Sequence, residues 1–352
     1  MKAAIISIGS VSSRMIEEEL KKKFDYVDHL KISELEVGVG EKGEIFYKGE
    51  PFKEYDAVYC RGSYKYAGLL RSLTTLIYKK CYTPMQPGTF SIAHDKLLTH
   101  LKFQDNGIPQ PKTFVATNAE AGKKILRRMT FPVIIKLLGG THGRGVIIAE
   151  SIENARSTID VISLLKQPFL VQEYIATEGI DIRAVVIGEK VIAMKRKASR
   201  EEGRANIHSG GTPEPVNLDA KTKKLALQAA RVCGCDICAV DILPSSKGPL
   251  VLELNISPGL QGITKATKKN VAGMIADFIF KKAQSLKEVV KKEVMKEILP
   301  EQEVYSTLDF RGERILLPAV FTKFSQLTED DEVSIIAKKG EIKIKKIGKI
   351  KK

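Results

Sequence analysis

The sequence predicts a mixed α/β and α+β protein: an open parallel α/β sheet at the N-terminus, a larger, mostly antiparallel region behind it, and a small β-rich appendage at the C-terminus. Three observations carry this. Short apolar strands alternate with helical patterns over the first 90 residues, hairpin-forming strand pairs dominate from about residue 113 to 255, and a long helix ending at Pro300 precedes a last cluster of strands.

Taken in order, "KAAIISIG" reads as a strand, "SRMIEEELKKKF" as a helix and "DAVYCRGS" as a second strand ending in a polar loop. Open α/β sheets bind ligands beyond the carboxyl ends of their strands, so Arg61 is a candidate cleft residue, with a surface loop arginine as the plain alternative. A helix is predicted from about Ala93 to Asn106, stopped by "NGIPQP". Beyond it come "TFVATN", a helix near Ala119 to Met129, "FPVIIK", a glycine-rich loop, a further helix, "FLVQEYI", and a hairpin turning at "GEK". A helix over Ala220 to Val232 leads into "AVDILPSSKGPLVLELN", a hairpin turning at "SSKGP", and a helix from about Val271 to Leu299 follows. The implied domains are residues 1–90, 91–284, a helical connector over 285–302, a β-hairpin domain over 303–346 and a basic tail over 347–352.

Composition narrows the function. The chain has 352 residues and 43% hydrophobic content, enough for at least one sizeable core. The apolar stretch "NVAGMIADFIF" is too short to span a bilayer and the N-terminus lacks a signal peptide's pattern, so a cytoplasmic protein is expected. Five cysteines, an odd number, suit a reducing compartment. Cys233, Cys235 and Cys238 cluster, but no second Cys or His group lies nearby to complete four ligands, and packing as small hydrophobes is expected. The net charge is +15 and is not confined to the tail, since residues from Lys281 onward hold 17 Lys/Arg against 12 Asp/Glu. That excess favours anionic partners such as nucleotides or acidic small molecules.

Several short patterns carry chemistry. Lys136 ends "FPVIIK", and the next residues include Gly139, Gly140, Gly143 and Gly145. Glycines let backbone N–H groups approach phosphate oxygens, and a lysine adds fixed positive charge. A plain hairpin turn fits the same residues. Gln172, Glu173 and Tyr174 end a strand whose backbone could meet an adenine edge, although an edge strand needs no ligand. Asp181 and Arg183 share one strand face by the i, i+2 rule, and "GRANIHSGG" places Arg204 and Asn206 between glycines, where an arginine could neutralise a phosphoryl group in transfer. Asp241 lies on the strand predicted to pair with "PLVLELN", so Asp241, Glu253 and Asn255 can converge. Two carboxylates and an amide, with no His or Cys, suit Mg²⁺ or Mn²⁺ shared with phosphate. Solvent-facing strand residues are the alternative.

From Asp95-Lys96 through Thr267 the chain resembles the ATP-grasp ligases, and within them the RimK-type group that adds amino acids, commonly glutamate, to a carboxylate. The resemblance rests on "HDKLL", "FPVIIKLLGGTHGRGV", "VQEYI", "GIDIRAVVIG", "GRANIHSGG", "AVDIL" and "VLELNISPGLQGI", in that order. It implies that Lys96 and Lys136 contact ATP phosphates, Glu173 and Tyr174 the adenine, and Asp181 the ribose side. It further implies that Arg204 and Asn206 sit by the transferring phosphate and that Asp241, Glu253 and Asn255 hold metal. The implied reaction makes an acyl phosphate from ATP and a carboxylate, then an amide with an amine, with glutamate the expected amine and an acidic acceptor. The string expected of the lysine-biosynthesis branch is absent where "GRANIHSGG" stands.

Residues before Asp95 match such enzymes only in their rhythm, so the acceptor is left open. The segment "VYSTLDFRGERILLPAVFTKFSQLTEDDEVSIIAKKGEIKIKK" resembles one swapped-hairpin unit of the SpoVT/AbrB type, with Asp330-Asp331 replacing the usual Gly-Asp. That likeness implies a homo-oligomer through the hairpin. A nucleotide sensor with a DNA-binding tail, or a small-molecule kinase of the same superfamily, are the competing expectations; the last ten residues hold six lysines that could touch nucleic acid, and a solubilising end explains them as well.

Overall fold

The apolar run after Met1 becomes β1 (Lys2–Ser7), whose residues past Lys2 are all buried. Helix α1 (Val11–Lys21) follows, capped by the Ser10 side chain, which accepts from Ser13 N–H. Then come β2 (Tyr26–Lys31), a small antiparallel sheet of β3 (Leu35–Gly38), β4 (Glu44–Tyr47) and β5 (Glu50–Pro51), the buried β6 (Ala57–Arg61) and α2 (Ala67–Ile77). Strands β2, β1 and β6 form a parallel sheet in that order, with Ser7 beside Arg61 at its carboxyl edge. The computed structural model describes residues 1–137, 145–197, 212–298, 309–325 and 327–349. The chain divides into two units, Met1–Val289 and Val290–Lys352.

The single helix expected from Ala93 to Asn106 is two: α3 (Thr89–His94) and α4 (Lys96–Asp105). Asp95 separates them because its backbone is extended and its carboxylate accepts from Leu97 and Leu98 N–H, which starts a new helix. Next are β7 (Thr113–Ala116), α5 (Ala119–Leu126), β8 (Val133–Leu137), β9 (Val146–Ala149), α6 (Ile152–Ser163) and β10 (Phe169–Glu173). These four strands make an antiparallel sheet in the order β7-β10-β8-β9. They share a core of their own with α5 and α6, built on Val133, Ile135, Ile159, Phe169 and Val171.

A second antiparallel sheet holds β11 (Ile180–Ile187), β12 (Lys190–Lys197), β13 (Thr212–Val216), β14 (Ile237–Ser245) and β15 (Gly248–Asn255), ordered β13-β12-β11-β14-β15. Helix α7 (Ala220–Val232) precedes β14; α8 (Gln261–Thr267) and α9 (Val271–Ile298) follow β15. The two-residue turn between β11 and β12 depends on Gly188. Its φ is +59° and a Cβ there would stand 2.3 Å from the Phe278 ring. This sheet and the parallel one share one larger core, in which Cys233, Cys235 and Cys238 are buried. Burial pushes the Cys233 thiol up to about 12, so it packs as an apolar group.

The second unit contains β16 (Asp309–Arg311) paired with β17 (Arg314–Leu316), α10 (Ala319–Ser325), and the longer hairpin of β18 (Asp331–Lys338) and β19 (Glu341–Lys349). Its two hairpins are separate two-stranded sheets. Among the described residues, no helix is long and apolar enough to cross a membrane.

Candidate active site

Strand register brings Asp241, Glu253 and Asn255 to one sheet face. Asp241 lies opposite Glu253 and Ala239 opposite Asn255, and alternation puts Glu253 and Asn255 on the same side. A bulge follows immediately between Asp241 and Ile242, bending the strand at the site. Glu253 is reached by solvent although protein surrounds it closely. Its carboxyl is pushed up by burial and by the Asp241 charge, against the opposing pull of Arg183, Lys136 and Lys96. Two neighbouring carboxylates that repel each other are a setting that a cation relieves. Asn255 Oδ1 accepts from Ser257 N–H at 2.8 Å, which fixes the amide with its oxygen toward the strand end.

Asp241 is buried and carries three guanidinium bonds: Arg183 Nε at 2.8 Å, Arg183 Nη2 at 2.6 Å and Arg196 Nη2 at 2.9 Å. These two arginines hold its carboxyl well below the usual range against the cost of burial. A carboxylate has about four acceptor positions, so one is left for a metal. Arg196 is also bound by both oxygens of Asp181, with Nε donating at 2.5 Å. Arg196 is shared between two carboxylates, with two bonds to Asp181 and one to Asp241. Burial then pushes Asp181 up to about 6, further raised by Asp241 and opposed by Arg196. Asp181, expected beside ribose, thus has both oxygens engaged by an arginine.

Across from this face stands Lys136 on β8. Its Nζ donates to Gln172 Oε1 at 2.7 Å, and its pKa is lowered by burial, with Glu253 pulling it up and Lys96 pushing it down. Lys96 is the first residue of α4 and acts electrostatically on Glu253, Lys136 and His100. Lys96, Lys136, Arg183 and Arg196 therefore face Asp181, Asp241 and Glu253. A site so balanced suits a polyanion accompanied by a divalent cation. Glu173 Oε2 accepts from Lys112 N–H at 3.1 Å and its own N–H donates to the Lys112 carbonyl at 2.8 Å. Past it, residues 174–177 leave the ladder, so the backbone of Tyr174 is not paired within a strand.

Gly140, Arg204 and Asn206 lie outside the described residues. Gly145, at the far side of the glycine loop, has φ +74°. Among the described residues no trio drawn from His, Cys, Asp and Glu is arranged as a metal centre. The candidate set here depends on an amide as third donor.

Arg61 is not a surface loop arginine. It is buried, and its guanidinium donates to Ser13 Oγ at 3.2 Å, Tyr59 Oη at 3.1 Å and the Pro258 carbonyl at 2.7 Å. Gly62 N–H donates to Ser257 Oγ at 3.1 Å, and Leu260 N–H to Ser12 Oγ at 2.8 Å. The parallel sheet thereby clamps the loop that follows Glu253 and Asn255. Replacing Arg61 with Met is expected to cost about 2–3 kcal/mol, because a buried carbonyl and two hydroxyls lose their donor; urea unfolding of the two proteins measures it.

Sequence reasoning missed Arg196, His100, Gln110 and Thr113. His100 could have been found, since it lies four residues after Lys96 on the same helix face.

One antiparallel sheet carries Lys136 and the other the paired Asp241 and Glu253, an arrangement suited to a nucleotide-dependent ligase of the ATP-grasp kind. A family model described as "RimK-like ATP-grasp domain" matches residues 93–279, and the chain belongs to that family. Among curated relatives, a "Probable alpha-L-glutamate ligase" of Vibrio cholerae serotype O1 is 41% identical over 254 residues, covering 70% of this chain and 83% of the relative. One from Pseudoalteromonas translucida of the same name is 41% identical over 249 residues, 69% of this chain and 82% of its own. In fold, the chain is similar to a RimK-domain ATP-grasp protein from Sphaerobacter thermophilus, with TM-score 0.62, 22% identity and coverage of 79% and 99% of the two chains. The D-alanine–D-alanine ligase of Bacillus anthracis complexed with ATP gives TM-score 0.58 at 16% identity, covering 83% of this chain and 99% of that one. The protein is an ATP-dependent, ADP-forming carboxylate–amine ligase.

Proposed function

We propose that the amine substrate is glutamate and that the acceptor is an acidic molecule bearing a free carboxylate. The observation that carries the reading is the Asp241–Glu253 pair within electrostatic reach of Lys136. The name shared by the curated relatives supports glutamate, and the cationic surplus supports an acidic acceptor.

In this reading Lys96 and Lys136 bind phosphate oxygens, the backbone around Glu173 and Tyr174 meets the adenine, and Asp181 acts through Arg196 near the phosphates. Gly140, Arg204 and Asn206 complete the phosphate environment. Asp241, Glu253 and Asn255 would hold Mg²⁺, with Mn²⁺ as a substitute; the similarly folded ATP-grasp ligase PsnB has a structure in complex with Mg and ADP. A bound divalent ion supplies charge neutralisation for the phosphates. An acceptor oxygen attacks the γ-phosphorus and ADP leaves; the amine then attacks the acyl carbon, and phosphate departs with the amine's proton. Both partners of the bond come from substrates. The protein's own work is to position them and neutralise charge.

Incubating the purified protein with ATP, isotopically labelled glutamate and cell extract tests this by mass spectrometry. A product heavier by one labelled glutamyl unit is the expected result, and phosphate release with no amide product would point to a kinase instead.

The second unit is proposed to join two copies of the chain. On the β18–β19 hairpin, Val333, Ile335, Ala337, Ile342 and Ile344 share one face with Lys346 at its end, and Ile335 is 63% and Ile342 57% exposed. The opposite face carries Ser334, Lys338, Lys343 and Lys345 around Ile336. A lone two-stranded hairpin is marginal in water, and a second copy covers the apolar part of this face while keeping Lys338, Lys343 and Lys345 outward and Lys346 paired with Asp331. A chain ending at Val289 is expected to sediment at a lower oligomeric state than the full chain and to keep its ligase turnover; identical sedimentation would refute the assignment.

A further inference from the structure

We propose that His100 and Thr113 are positioning residues for the nucleotide: acting through Gln172, they hold the Lys136 ammonium in the orientation that receives phosphate. The inference rests on the reading of Lys136 as a phosphate ligand.

Hydrogen-bond polarity determines the arrangement from its far end. Gln110 Nε2 lies 2.8 Å from the His100 backbone carbonyl, which can only accept, so the nitrogen is placed there. Gln110 Oε1 is then the atom 2.6 Å from His100 Nδ1, and Nδ1 must carry the proton. On a neutral ring Nε2 is the acceptor, and it stands 3.5 Å from Gln172 Nε2. An independent anchor agrees. The Thr113 hydroxyl donates to the Pro111 carbonyl at 2.9 Å, so toward Gln172 it can only accept, and Gln172 Nε2 donates to it at 2.8 Å. Both anchors require the amide nitrogen on the same side.

The oxygen of Gln172 is therefore the atom left facing Lys136 Nζ at 2.7 Å. Gln172 is only 1% exposed, so a reversed amide would find no water to satisfy it. With one of its three donors held on that oxygen, the ammonium has a set direction for the other two. The ring is kept neutral by its surroundings: burial lowers the His100 pKa and the charges of Lys136 and Lys96 add to this, with Gln110 the opposing influence. An imidazolium would turn an N–H toward the Gln172 amide nitrogen and undo the chain.

Calorimetric titration of the full chain with the β,γ-imido analogue of ATP in Mg²⁺, and separately with adenosine, tests the proposal. His100→Phe and Thr113→Val each remove one anchor, and each is expected to weaken the analogue about threefold, while the double variant weakens it about thirtyfold because the amide is then released. Adenosine, lacking phosphates, is expected to bind all of them equally. Wild-type affinity for the analogue should fall more steeply as pH drops below the imidazole range than that of His100→Phe, in which Asp181 still titrates. Should the double variant fail to fold, Thr113→Val against the hydroxyl-restoring Thr113→Ser carries the test. Unchanged analogue binding in the variants, or an equal loss of adenosine, overturns the relay. A wild-type chain that binds adenosine but gains nothing from the phosphates overturns instead the reading of Lys136, and the relay falls with it.

Discussion

Glu253→Gln is expected to lower ligase turnover on the order of 10³-fold and to leave the fold at least as stable as the wild type. The two effects have one cause. Glu253 sits opposite Asp241 with its carboxyl pushed up by burial and by that neighbouring charge, so in the metal-free protein its ionised form is a cost to the fold. The sign follows from linkage. A carboxyl that holds its proton more tightly when folded makes the protein lose stability as pH rises from the ordinary value of 4.5 through its folded value. Gln keeps the shape and removes that charge, and with it the donor a divalent ion requires. Phosphate release with glutamate and extract measures the first effect, and thermal unfolding at pH 5 and pH 8 without metal measures the second. A variant that keeps full turnover, or one that unfolds more easily than wild type at pH 8, contradicts the assignment.

Lys136→Met is expected to raise the KM for ATP roughly 10- to 100-fold, the loss of one charge-assisted hydrogen bond to phosphate. The aliphatic stem is retained, so the neighbouring core should be undisturbed. Lys136 is held at a lowered pKa by burial and by Lys96. Removing its charge relieves that burden, while Gln172 Oε1 loses its donor at 2.7 Å; the two changes offset in stability and should leave the melting temperature little altered. If the lysine binds ground state and transition state alike, kcat at saturating ATP is preserved. Initial rates over a range of ATP concentrations decide this, and an unchanged KM would remove Lys136 from the phosphate site.

Local sequence pattern was enough to read the strands and helices around the site, because period-two and period-3.6 apolar repeats are properties of neighbouring residues. It was also enough to put Glu253 and Asn255 on one face, since alternation needs no knowledge of the fold. The break at Asp95 was less legible. An Asp beside a helical run serves equally as an ordinary first-turn residue or as a cap, and only its extended backbone distinguishes them. The small β3–β4–β5 sheet went unread, as its strands are short and half-exposed with a mixed pattern.

By itself the sequence determined the class of chemistry, through seven ordered motifs that hold a lysine before glycines and candidate oxygen ligands without His or Cys. Only the tertiary structure decided that Arg61 is a buried clamp on Pro258, that Asp181 and Asp241 share Arg196, and that His100 and Thr113 orient Gln172. Those contacts join residues between 15 and 197 positions apart. Hydrogen-bond partners at such separations are set by how sheets stack and in which register, which no local pattern encodes.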